Sequence, residues 1–457
     1  MKKRIFILNA IILTVSSVLL RISNIWFRTF IFGKIGASGM GVYQLIFSVF
    51  FLGITICTSG VGLAVTRMVA EGKGTRGAVR RCLLVALFLS FVAAAGLFFF
   101  SDYIATEFIG SPYAAVALRL LAPGLPFIAA CSCLKGYFLA IRNTVVSVCG
   151  EFIEQIVAIS ASLALLWHTD RPLEALMLGS TISEVFSCGF IALLYLVYSR
   201  RLGLPRHKAP GTYRTVLHIA APVLCGSFFR SLLSSTENIL IPRGLKKNGA
   251  GTESSLAQYG EIQGMVMPIL FFPFAFLSAL SMLLVPEMAE ANAAGRQKSI
   301  QRNAERAFRF TLTFSFLITA ILIVFADDLG MAFYQSPQVG NILRVMAPII
   351  PLMYLDSVVD GMLKGLDQQL YSLKYNFSDS IMRVILIALL IPIFGLKAYI
   401  VILFMSEIYN ASLSINRLLK VTRLEVDIIG WIVTPAVSAA LLYYLLVLFK
   451  KTLLFIV

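Results

Sequence analysis

Three arginines, one asparagine and three carboxylates lie inside runs of sequence that are otherwise apolar. Arg21 stands near the middle of a run from Ile5 to Phe32, with Ser17, Asn24 and Arg28 three, four or seven residues away on the same helical face. Arg230 lies about as far into a second run and Glu237 follows it by seven residues, while Asp356 and Asp360 stand four apart in a third. An arginine near a bilayer midplane costs about 2.5 to 3.5 kcal/mol on insertion scales, so it faces a bundle interior or a water-filled cavity. Two or three guanidiniums gathered at low dielectric repel unless an anion bridges them or carboxylates stand near. That chemistry suits a doubly charged phosphate, whose oxygens the planar guanidinium fork engages in pairs. Glu237 fits two roles, resting counter-ion or carrier of a proton or cation. Asp356 and Asp360 have no counterpart in the first half of the chain, which makes them candidates for coupling to H+ or Na+.

The elements that must position these groups are membrane-spanning helices. The chain has 457 residues, 58% of them apolar, and a mean hydropathy of +0.86, beyond the range of soluble domains. Apolar runs predict helices α1 over 5–32, α2 over 40–68, α3 over 79–100, α4 over 113–141, α5 over 145–167, α6 over 173–198, α7 over 213–242, α8 over 257–288, α9 over 304–326, α10 over 339–363, α11 over 371–393, α12 over 397–418 and α13 over 429–449. The opening MKKR imitates a signal peptide, but the run after it is too long, carries Arg21 and lacks a small-residue cleavage site. Lys2, Lys3, Arg4, Lys73, Arg80, Arg81, Arg142, Arg200, Arg201, Arg296, Arg302 and Arg417 fall on one side, which predicts a multi-pass protein with a cytoplasmic N-terminus. These loops account for the net charge of +16 without nucleic acid as a partner. The seven cysteines lie in or at the ends of apolar spans as packing residues, and the three histidines have no partner at ligand spacing, so neither a metal nor a cofactor is expected.

The chain is written twice. LRLLAPGLP at 118–126 matches LRVMAPIIP at 343–351, and each is followed by Leu-Lys-Gly, at 134–136 and 363–365. LAVTRMVAE at 63–71 ends α2 as LLVPEMAE at 283–290 ends α8, so the unit is six helices. An even unit enters the membrane twice from the same side, which predicts two lobes about an axis along the membrane normal with a cavity between them. The expected domains are 1–205, 206–425 and an added helix over 426–457, with RRLGLPRHKAPG at 200–211 as linker. Arg28 has a bland alternative, snorkelling to the interface, that Arg21 lacks. Arg119 and Arg344, each before Ala-Pro, read as snorkelling residues or caps of a kinked helix. Lys135 and Arg142 with Glu151 and Glu154, like Lys364 with Asp379 and Arg383, read as salt-bridged hairpins. Pro268, Pro273 and Pro286 predict a bent α8.

GASGMGVYQLIFSV at 36–49, SGVGLAVTRMVAEG at 59–72 and YGEIQGMVMPILFFPFAFLSALSMLLVPEMAE at 259–290 resemble the stage V sporulation protein B family of polysaccharide exporters, over α1 to α12. That family belongs to the multidrug, oligosaccharidyl-lipid and polysaccharide (MOP) flippase superfamily. The resemblance implies an all-α, MATE-like fold and a flippase of the bacterial plasma membrane, and the chain is expected to be a monomer. Its cargo would be a polyprenyl-pyrophosphate-linked sugar or peptidoglycan precursor, moved from the cytoplasmic to the outer leaflet by alternating access. In related lipid II flippases, cavity arginines on the first helix bind the pyrophosphate, a role that Arg21 or Arg28 matches. Gly62 stands where many relatives have proline, and KKTLLFIV at 450–457 is too short to span where longer relatives carry a fourteenth helix. A cation-coupled multidrug antiporter would need an acidic, aromatic cavity, against which the two arginines of α1 argue. A membrane-embedded transferase would need a loop-borne acid cluster or metal site, and the chain is not expected to be an enzyme. A non-transporting partner of wall-assembly enzymes would leave the arginines unexplained.

Overall fold

The computed structural model describes residues 2–69, 76–141, 143–201 and 213–456, and among these every regular element is helical. The linker residues 202–211 and Arg142 lie outside the described residues, as does the side chain of Ser17. Twelve candidate membrane spans are present among the described residues, the first of which, Val18–Met68, is 51 residues long and holds both α1 and α2. No loop separates these two, contrary to the gap expected over 33–39. Lys2–Thr58 is continuous through a single kink at Gly36 (φ 68°, ψ −175°), a conformation open to glycine because it has no Cβ. A second break at Gly60 (φ 82°) precedes Val61–Met68. A Cβ on Gly60 would come 2.4 Å from the Ala220 carbonyl oxygen, so the backbone of α7 lies directly against this break.

The chain forms two compact units, one of residues 1–20 and 34–239, the other of 21–33 and 240–457. In the first, Leu45, Ile46, Leu118, Leu121, Tyr137 and Phe138 are buried. In the second, Met288, Val358, Val359, Met362, Leu363 and Leu418 form the core, closed by Trp431 stacked on Phe308. Large apolar residues such as Phe88, Leu389 and Leu441 are exposed in both, as a surface solvated by lipid allows.

The repeat has a structural cause in each half. α4 is broken into Ala114–Leu121 and Gly124–Ala140, and α10 into Pro337–Met346, a short 3-10 turn and Ile350–Gly365. Each break falls at the repeated Ala-Pro, where proline withholds the amide proton of the ladder. A threonine hydroxyl from a neighbouring helix supplies a donor at each: Thr181 to the Leu120 carbonyl at 2.7 Å, and Thr319 to the Ala347 carbonyl at 3.4 Å. The repeated Leu-Lys-Gly marks a close crossing. A Cβ on Gly136 would come 2.6 Å from the Gly62 carbonyl oxygen, and one on Gly365 would come 2.5 Å from that of Val285. Arg119 and Arg344 are neither free snorkelling groups nor simple caps, because Arg119 pairs with Asp102 and Arg344 with Asp327, seventeen residues earlier in both halves. At the C-terminus, Thr434–Ile456 is one helix. Residues 450–456 therefore continue α13, and Lys450 pairs with Asp328.

Candidate functional site

α8 is the most interrupted helix. It consists of Thr252–Gly260, a π-helical segment Glu261–Val266, Met267–Phe271 and, after a turn at Phe272 and Pro273, Phe274–Ala293. Of the three prolines expected to bend it, Pro273 marks the break, whereas Pro286 lies inside the last segment. Pro273 has no N–H, and the bonds around it shorten to i→i−3: Phe272 N to Ile269 O, Ala275 N to Phe272 O and Phe276 N to Pro273 O. The carbonyls of Leu270 and Phe271 are thereby left outside the regular ladder, a costly state within a bilayer. The Tyr354 hydroxyl donates to Leu270 O at 2.6 Å, and Arg21 Nη1 donates to Phe271 O at 2.9 Å. Arg21 thus holds a broken helix through its main chain.

About two turns further along α1, Arg28 Nε donates to Asn24 Oδ1 at 3.0 Å, so Asn24 orients Arg28. Arg230 on α7 is exposed and makes no hydrogen bond or ion pair among the described residues. Glu237, two turns further on, is buried. None of the three guanidiniums, at 21, 28 and 230, pairs with a carboxylate among the described residues, which leaves all three able to take an anion. Ser235 and Asn238, flanking Glu237, donate to the carbonyl and hydroxyl of Ser48 at 2.8 and 3.1 Å, tying α7 to α2.

The two aspartates of α10 have different surroundings. Asp360 is engaged on both oxygens, by the Ser372 hydroxyl and by Lys364 at 3.6 Å. Lys364 therefore bridges within α10 rather than across the expected hairpin, and Arg383 pairs with Asp379 at 3.5 Å within α11. Asp356 Oδ2 accepts from Asn410 Nδ2 at 3.0 Å, and the same amide reaches Asn376 Oδ1 at 3.2 Å. Asp356 Oδ1, Asn410 Oδ1 and Ser414 Oγ are buried without partners. Ser414 faces Asp356 closely enough to act on its charge but outside ordinary hydrogen-bond geometry. Glu407 of α12 lies within electrostatic reach of Asp356, Asp379 and Arg383.

The first unit carries a related cluster. Lys135 Nζ stands 3.7 Å from Glu154 Oε2, the expected hairpin bridge, with Glu151 and Glu184 within electrostatic reach. Glu184 and Glu407 were not among the expected site residues. A signal was present: each follows a serine in ISEVF at 182–186 and MSEIY at 405–409, on the equivalent helices α6 and α12. The Asn410 and Ser414 oxygens and the Phe271 carbonyl had no such signal, since their availability arises only when three helices, or a helix break and an arginine, come together.

Broken spans in two repeated halves define a polytopic membrane protein of the MATE-like fold. A solved inward-facing structure of a multidrug resistance MATE family transporter is similar with a TM-score of 0.66, over 91% of this chain and 96% of that one at 13% identity. A MatE family model matches residues 254–389. The chain belongs to the polysaccharide biosynthesis protein family, whose model matches residues 6–291. Stage V sporulation protein B of Bacillus subtilis (strain 168) is 26% identical over 384 residues, covering 80% of this chain and 74% of that protein. Sporulation protein YkvU of the same organism is 21% identical over 327 residues, 69% of this chain and 72% of its own length.

Proposed function

We propose that this protein is a flippase that moves a polyprenyl-pyrophosphate-linked oligosaccharide or peptidoglycan precursor across the bacterial plasma membrane by alternating access, with its N-terminus in the cytoplasm. The observation that carries the reading is Arg21: a guanidinium within a membrane span whose hydrogen bond is to a main-chain carbonyl and not to a carboxylate. A neutral carbonyl is a weaker partner than a phosphate oxygen, so a pyrophosphate displaces it. In the cycle, Arg21, Arg28 and Arg230 bind the pyrophosphate while Asn24 orients Arg28 and the prenyl tail stays in lipid. Phe271 then loses its donor and the break in α8 is free to change its angle. Cargo drives the transition to the extent that it binds the closed intermediate more tightly than the open state. Glu237 serves as counter-ion or carrier when the site is empty.

Resetting is assigned to Asp356. Its free oxygen, with those of Asn410 and Ser414, offers a single negative charge and two neutral oxygens, a set suited to a proton or Na+ rather than to Mg2+, which demands octahedral ligation. The same acidic pocket, with the fold, favours a cation-coupled multidrug antiporter as the second reading. Neither reading makes the chain an enzyme.

Reconstitution in vesicles with a labelled polyprenyl-pyrophosphate sugar tests the assignment. Wild type moves the label to the opposite leaflet, and Arg21→Ala and Arg230→Ala are expected to slow it by tenfold or more. Wild-type rates in both variants overturn the site. Efflux of organic cations with no movement of the labelled lipid establishes the antiporter instead, and a new covalent product establishes a transferase.

A further inference from the structure

The surface of α9 carries a ridge that neither cargo nor coupling uses. α9 runs over Gln297–Val324, and Lys298, Arg302, Arg306, Phe310 and Phe314 recur on it at every fourth residue, one i±4 row of a helix surface. Lys298, Arg302 and Arg306 are exposed, and none makes an ion pair or hydrogen bond among the described residues. Arg309, off this row, is held instead by Glu305 and Asp427, each at 3.0 Å. Below the cations the row turns aromatic. Phe310 and Phe314 stack at 6.3 Å, and Phe276 of α8 closes the ladder at 6.3 and 5.6 Å from them. Phe276 and Phe310 are 54% and 45% exposed, so the ladder offers a face rather than a core.

We propose that this ridge docks an anionic phospholipid, its phosphate between Arg302 and Arg306 with Lys298 above, and an acyl chain along Phe310, Phe314 and Phe276. Charge complementarity selects the headgroup: three unneutralised cations about 12 Å from end to end attract a membrane anion, and two guanidiniums one turn apart can both donate to its oxygens. The continuity of the row selects a lipid. Cations placed only by the charge bias of that membrane face would be distributed around the helix. Here they keep one row and lead within a turn to aromatic rings at hydrocarbon depth. A soluble phosphate would leave the ladder without a role.

The full-length protein in zwitterionic nanodiscs, titrated with phosphatidylglycerol and read by native mass spectrometry and thermal unfolding, tests this. Phosphatidylglycerol is expected to bind and raise the unfolding midpoint where phosphatidylcholine does not. Arg302→Ala with Arg306→Ala should weaken that binding about thirtyfold, the factor two membrane-surface cations contribute. Phe310→Ala with Phe314→Ala, which keeps every charge, should weaken it less but measurably. Lys374→Ala with Lys420→Ala, which removes two cations elsewhere, should leave it unchanged. Equal loss in the two charge-removing doubles, no loss in the phenylalanine double, or stronger retention of free polyprenyl phosphate than of phospholipid overturns the proposal. None of these outcomes depends on which cargo the protein moves.

Discussion

The charge clusters inside the two halves share a scaffold and differ in where the cation sits. Each is built on Leu-Lys-Gly of the fourth helix of its repeat and Ser-Glu of the sixth, and the residue nineteen positions after the lysine is Glu154 in one and Arg383 in the other. In the first half, Lys135 reaches across to Glu154, with Glu151 and Glu184 close by, so a resident ammonium answers the carboxylates. In the second, the fifth helix brings its own cation, Arg383 with Asp379, and Lys364 is turned to Asp360. Asp356 is then left with an unpartnered oxygen beside those of Asn410 and Ser414. With a base in place of an acid nineteen positions after the lysine, each cation of the second cluster pairs with an aspartate on its own helix. The first cluster thus has a lysine that bridges two helices, whereas the second leaves one Asp356 oxygen without a partner.

The largest expected effect breaks that difference outright. Asp356→Asn removes the charge of the carboxylate that carries the unpartnered oxygen, so cargo movement should lose its dependence on an imposed Na+ or proton gradient, with a tenfold or greater fall in gradient-driven rate. Glu184→Gln in the other half should keep that dependence. Flux measured in vesicles with and without each gradient separates the two, and an unaltered gradient response in Asp356→Asn would mean the second cluster is as closed as the first.

A smaller effect is expected on stability. Lys135 and Glu154 are 25% and 35% exposed, so Lys135→Met leaves partly buried carboxylates without their cation. That should cost about 2 kcal/mol, below the range for a fully buried pair because water still reaches the site. Lys364 is 54% exposed and its partner Asp360 keeps the Ser372 hydroxyl, so Lys364→Met should cost less than about 0.5 kcal/mol. Thermal unfolding of the two variants in one detergent compares them. Equal shifts would show that the diverted lysine is no less structural than the one that crosses the hairpin.

How much of this was legible in sequence depended on whether an interaction recurs. LRLLAPGLP and LRVMAPIIP announced the paired kinks because proline breaks a helix wherever it stands, and Leu-Lys-Gly announced paired crossings because only glycine lets two backbones come so close. The continuity of α1 into α2 was not legible, since glycine permits a break and a kink alike and φ at Gly36 decides between them. Arg21 was visible as an arginine in a span, but its partner was not. Main-chain carbonyls have no residue code, and the freeing of Phe271 depends on how the ladder shortens around Pro273. The division of labour between Asp356 and Asp360 was hidden for a related reason. Spacing four apart puts both on one face of α10, but Ser372 and Asn410, from two other helices, decide which of them keeps a free oxygen.

The finest comparison lies in the pairs where the two halves agree. Arg119 with Asp102 and Arg344 with Asp327 have the same sequence separation, and all four side chains are substantially exposed, at 38% and 68% in one pair and 43% and 49% in the other. Exposed ion pairs contribute about 0.2 to 1 kcal/mol, so Arg119→Gln and Arg344→Gln should each lower stability within that range. Arg119 also donates to the Ser101 hydroxyl at 2.8 Å, which places its variant toward the upper end. A double-mutant cycle with Asp102→Asn and Asp327→Asn isolates each coupling from effects on the single residues. Couplings that match within error mean that the two outer pairs do the same work in both repeats. In that case the asymmetry between the halves belongs to the buried clusters, and the ion dependence of transport should follow Asp356 alone, whichever outer pair is removed.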